Sequence, residues 1–143
     1  GYLSPPSTWS MIRKHLLLHN PFLHPTILFP RQLTKVVGLY NPRFEASEDY
    51  EFILRAFSKG CKGANLPRYL HSLREDPSSV TRGSRWKQNR IAYLRCKVVA
   101  VLKYNFNKPR DIVFLGMTPF TAFIKPSRVF LLKQLFGLYK RRV

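Results

Sequence analysis

The chain has 143 residues, enough for one domain or for part of a larger one. With 45% hydrophobic and 14% aromatic residues it holds material for a sizeable core, which excludes wholesale disorder. Lys and Arg number 25 against 7 Asp and Glu, a net charge of +18, and this points to phosphates, nucleic acid or an anionic membrane as partners.

Gly1 to Thr8 reads as a linker around Pro5 and Pro6, without the basic-then-apolar order of a secretory leader. Ser7 or Thr8 is placed to cap a helix from Trp9 to about His19, with Met11, Ile12, Leu16 and Leu17 as its apolar face and Asn20-Pro21 as its stop. Thr26 to Phe29 is a short β-prone run. Gln32 to Val37 is a short helix that Gly38 closes in the left-handed conformation. Ser47 caps a helix from Glu48 to about Lys59, ended by Gly60, with Phe52, Ile53, Ala56 and Phe57 at helical spacing. Leu66 to Leu73 reads as a strand entered at Pro67, and Asp76 to Ser79 as a turn. A long helix follows from Arg85 to Asn105, with an apolar stripe of Ile91, Leu94, Val98, Val101 and Leu102, and Pro109 ends that unit. Ile112 to Ile124 is apolar and irregular; at 13 residues, broken by Gly116 and Pro119, it is too short for a membrane span of roughly 20. Pro126 opens a last amphipathic helix to about Arg142.

Two charge asymmetries stand out. Up to Leu73 the chain holds nine basic and four acidic residues; from Arg74 onward it holds sixteen and three. Four of the seven acids fall within Glu45, Glu48, Asp49 and Glu51. Such a cluster in a basic chain is either the start of a helix, where the dipole favours negative charge, or a working site. Cys61 and Cys96 are too few for a disulfide scaffold or a four-cysteine zinc site, and with no histidine nearby in sequence they read as inert thiols in a reducing compartment.

In order and spacing, Asn20-Pro21-Phe22-Leu23-His24-Pro25-Thr26, Val37-Gly38-Leu39-Tyr40, Ala46-Ser47-Glu48-Asp49-Tyr50-Glu51-Phe52-Ile53-Leu54-Arg55, Asn65-Leu66-Pro67 and Leu73-Arg74 before Ser78-Ser79 resemble the inverting family 2 glycosyltransferases of the GT-A fold. The resemblance covers roughly residues 8–82. It implies an α/β chain, α+β within these residues: residues 1–82 as the acceptor-side, C-terminal half of a GT-A domain with short strands, and residues 83–143 as a basic amphipathic helical tail. Two positions depart from the pattern: Leu39 stands where a glycine is common, and Pro30 where a basic residue is usual. The nucleotide-sugar half of such enzymes ends in an Asp-x-Asp motif that holds Mg or Mn; no Asp-x-Asp occurs here, so that half is expected in cis or on another chain.

Inverting transfer needs a carboxylate to take the proton from the acceptor hydroxyl as its oxygen attacks the anomeric carbon, a contribution of about 10²–10⁴ in rate. The resemblance assigns this base to Asp49 and a supporting role to Glu48, and it puts His24, Arg74, Tyr50 and Arg55 against the substrate. His71 is the one candidate metal ligand. Each has a plainer reading as well: acids in a first turn stabilise a helix without catalysing anything, and a histidine between prolines or in a strand is commonly structural. Arg85-Trp86 lacks the glutamine of the Gln-x-x-Arg-Trp motif of processive synthases, which argues for single-sugar addition.

The expected partners are a nucleotide-sugar donor and a glycan or lipid-linked acceptor, as in cell-envelope polysaccharide synthesis. The basic amphipathic tail adds an anionic membrane surface, with the chain cytoplasmic and peripheral on the inner face. A nucleic-acid binder is the competing reading from charge alone, but no helix-turn-helix, zinc-finger spacing or RNA-binding aromatic motif accompanies the charge, so no nucleic-acid partner is expected. A non-catalytic piece that docks on a membrane or a protein is the other alternative.

Overall fold

The computed structural model describes residues 2–3, 5–72, 86–122 and 139–140. Among them, α1 spans Trp9–His15, α2 Gln32–Val37, α3 Glu48–Ser58, α4 Trp86–Lys103 and α5 Pro109–Ala122, with one 3-10 turn at His24–Thr26.

α1 buries Ile12 and is followed by buried Leu16 and Leu17, whereas Met11 stays exposed. Its regular part ends at His15, short of His19, and the next turn is closed by the amides of Leu18 and His19, which share the His15 carbonyl. α2 and α3 begin and end close to where local signals place them. Gly38 and Gly60 follow them with φ of +86° and +83°, a region that favours glycine. Ser47 departs from expectation. Its side chain makes no cap bond, and its backbone is left-handed at φ +65°, a conformation that costs a non-glycine residue roughly 1–2 kcal/mol.

The α/β architecture is not what the chain adopts. The expected strand at Thr26–Phe29 is part of the 3-10 turn and an irregular stretch; Thr26 Oγ1 donates to the Leu23 carbonyl at 2.8 Å, closing a local turn. Leu66 to Ser72 has no regular structure, and Leu73 lies outside the described residues. A strand needs a partner for its ladder, and among the described residues neither run has one. Extended pairing among those residues is confined to β1, Tyr2–Leu3, antiparallel to β2, Tyr139–Lys140, two residues each. β2 is also the one described piece of the helix expected over 126–142, and it is extended. The chain is therefore a small helical fold.

α4 packs against both α3 and α5. Its buried face follows the expected apolar stripe only in part: Val101 packs against the core, but Ile91 and Leu102 are exposed, while Cys96, Lys97 and Ala100 are buried and Tyr93 packs with them. Cys96 and Ala100 join Leu16, Leu17, Phe44, Tyr50, Ile53, Leu54 and Phe106 in one core, so residues on both sides of the expected 82/83 boundary share it. A smaller cluster of Val37, Phe52 and Ala56 holds α2 to α3. Lys97 is buried on neutral partners. Its Nζ donates to the Leu18 carbonyl at 3.2 Å and to Thr118 Oγ1 at 3.0 Å, and burial beside Arg90 pushes its pKa down to about 8. Pro109 starts α5 and does not merely end α4, because proline's missing N–H and fixed φ suit the first helical position. No helix among the described residues is long and apolar enough to cross a membrane.

Candidate active site

The acidic mouth of α3 faces the segment after α1. Asn20 Nδ2 donates to Asp49 Oδ2 at 3.1 Å, and Asn20 Oδ1 accepts the Phe22 amide at 3.1 Å. The Asn20 amide also donates to the Tyr93 hydroxyl, which ties this corner to α4. Asp49 is half-buried. Burial raises its pKa above the ordinary aspartate value; the Tyr50 amide and the His24 charge oppose that rise, and Glu48 adds to it.

His24 and Tyr40 stand at the rim. The Tyr40 hydroxyl lies 3.4 Å from His24 Nε2, with the rings edge-on at 6.1 Å. Burial raises the Tyr40 pKa, and the charges of Asp49 and Glu48 raise it further, so all four side chains share one electrostatic neighbourhood. Tyr40 is placed by the glycine turn at Gly38 and by its packing against Phe52, with centroids 5.2 Å apart. Both rim residues are exposed, so the arrangement is an open surface able to meet a ligand from solvent.

Tyr50 and Arg55 are committed elsewhere. Tyr50 is wholly buried; its hydroxyl donates to the Leu16 carbonyl at 2.6 Å, and its ring stacks on Tyr93 at 4.3 Å. It has no surface with which to touch a substrate. Arg55 grips both oxygens of the buried Glu51 at 2.9 Å and also donates to the Val37 and Leu39 carbonyls. Its guanidinium serves the fold, not a ligand. His71 lies on an exposed irregular stretch, not in a strand, and no group of three or more His, Cys, Asp or Glu suited to a metal occurs among the described residues. Arg74 lies outside the described residues.

Sequence reasoning missed Asn20, Tyr40 and Glu51 as individual actors. Asn20 and Tyr40 lie inside the segments that carry the family resemblance, and Glu51 sits in the acidic cluster, four residues before Arg55, at the spacing of a helical ion pair. Cys96 is buried, its S–H directed to the Ser47 carbonyl at 3.6 Å and its pKa pushed up to about 12 by burial and the charges of Glu51 and Asp49, so it is not a nucleophile. Comparison with protein-family models, curated proteins and solved structures finds no match for this chain.

Proposed function

We propose that Asp49 is the general base of an inverting sugar transfer. An acceptor hydroxyl on a glycan or lipid-linked glycan gives its proton to Asp49. Its oxygen forms a bond to the anomeric carbon of a nucleotide sugar, and the bond from that carbon to the nucleoside diphosphate breaks on the opposite side. The observation that carries this reading is the placement of the carboxylate: half-buried, held at Oδ2 by Asn20, its pKa raised by burial, and in one electrostatic neighbourhood with the exposed His24 and Tyr40. Glu48 adds negative charge beside the base, and His24 and Tyr40 line the approach of the acceptor.

In this reading the donor is held by an Asp-x-Asp half outside these 143 residues, where Mg or Mn would neutralise the leaving diphosphate. Among the described residues of this chain no group of three or more His, Cys, Asp or Glu stands together to hold that ion. The same reading places the chain in the cytoplasm, peripheral to the membrane that carries lipid-linked acceptors.

The test is sugar transfer by the complete protein, from a panel of nucleotide sugars, with Asp49→Asn. The expected result is a loss in kcat of about 10²-fold or more. A near-normal rate overturns the assignment.

A further inference from the structure

We propose that the exposed face of α5, together with the α4–α5 corner leading into it, is a docking surface for an anionic lipid bilayer. α5 is two-sided. Asp111 and Thr118 are buried, and Phe114 packs toward the core. Ile112, Val113, Gly116 and Met117 share the opposite face by their spacing along the helix. Ile112 is 55% exposed, Val113 58% and Met117 44%, and a Cβ added at Gly116 would meet nothing within 4 Å. At the end of α4, Leu102 is 76% exposed.

Charge identifies what covers this face. From Trp86 to Ala122 the chain carries seven Lys and Arg and a single acid, Asp111. That acid is buried, 3.6 Å from Arg13 and 3.7 Å from Arg110, so neither α4 nor α5 presents a carboxylate of its own to solvent. Lys103 and Lys108 are exposed at the corner, and Arg110 borders the apolar face. Nucleic acid would answer the charges but leave the aliphatic side chains wet. An anionic bilayer answers both, because aliphatic groups enter the boundary between headgroups and acyl chains while Lys and Arg remain among the phosphates.

This surface would supply the peripheral placement proposed above. It is read by lipid binding alone, so its failure and the failure of Asp49 as base are separate results. The experiment is co-sedimentation of the whole chain with vesicles of phosphatidylcholine, with or without phosphatidylglycerol. Binding is expected only with phosphatidylglycerol. Ile112→Ser, Val113→Ser and Met117→Ser together should weaken it about tenfold or more, and Lys103→Ala or Lys108→Ala about fivefold each at low salt; Asp49→Asn should leave it unchanged. Unaltered helical circular dichroism shows that each variant folds. As an independent measurement, Met117→Trp should gain fluorescence quenching by brominated lipid that Leu28→Trp, on the loop after the 3-10 turn, does not. Equal quenching at both positions, undiminished vesicle binding by the triple-serine variant, or capture of duplex DNA in place of vesicles overturns the proposal.

Discussion

Asn20 fixes one edge of the Asp49 carboxylate. Its own Oδ1 accepts the Phe22 amide, so Nδ2 faces the carboxylate and donates to Asp49 Oδ2, beside the backbone amides of Asp49 and Tyr50 that also serve the carboxylate. A donor to the ionised form lowers a carboxyl pKa, so Asn20→Leu should raise the Asp49 midpoint above its already raised value; a carbon-detected NMR titration of the side-chain carboxyl measures this, and an unchanged midpoint refutes the contact. The folded-state pKa lies above the unfolded one. The folded chain therefore holds the proton at higher pH, and this group adds stability as pH falls from its folded value toward the ordinary one, while its ionised form opposes folding near neutrality. Asp49→Asn should accordingly leave the Tm unchanged or raise it, so its expected loss of transfer activity is not a loss of fold. By the same shift, activity should fall off on the acid side at a pH above the usual aspartate range.

At the scale of elements, α3 is stapled to the loop after α2 by Arg55. The guanidinium binds Glu51, whose Oε1 also accepts the Tyr104 hydroxyl from the end of α4 at 2.6 Å, and it reaches the Val37 and Leu39 carbonyls. Gly38 suits this point: its φ of +86° favours glycine, and a Cβ there would crowd Arg55 Nη1 at 3.2 Å. Arg55→Ala leaves the fully buried Glu51 carboxylate uncompensated and should cost about 3–5 kcal/mol in urea unfolding. Arg55→Lys should recover little, because an ammonium lacks the planar fork that serves Glu51 and two carbonyls together. Destabilisation within about 0.5 kcal/mol, as at an ordinary surface site, would show that the staple carries no weight. Tyr40 follows Leu39 directly, so this staple also sets the rim of the candidate site.

This network explains how much of the elements was legible in the sequence. The ends of α2 and α3 follow from signals within one turn: Gly38, Gly60 and a run of acids at a helix start. The buried face of α4 follows from its apolar pattern only in part. It is set by which side chains answer α3: Cys96 and Ala100 allow close approach, Tyr93 stacks on Tyr50, and Tyr104 satisfies Glu51. A stripe of Ile91, Leu94, Val98, Val101 and Leu102 counts hydrophobicity alone and is blind to that demand.

For the whole molecule, a charge of +18 on 143 residues opposes compaction through self-repulsion. The seven acids relieve it only in part, since Glu51 and Asp111 are buried within local pairs. Raising ionic strength from about 0.01 to 0.15 M shortens the Debye length from about 30 to 8 Å, which should raise the Tm measured by circular dichroism. A Tm that falls with salt would mean that attractive surface pairs outweigh the net repulsion.

The sequence by itself determined the basic character of the chain, the positions of α2 and α3, and the pairing of Glu48 with Asp49 at a helix start, because each depends on composition or on residues within a few positions of one another. The tertiary structure decided the rest. It left Thr26–Phe29 and Leu66–Ser72 without strand partners among the described residues, turned Pro109 into the first residue of α5, and spent Tyr50 and Arg55 on the core. It also brought Asn20 to Asp49 across 29 positions of sequence. Each of these outcomes depends on which distant group supplies a hydrogen bond or a packing surface, and no local pattern encodes the identity of that group.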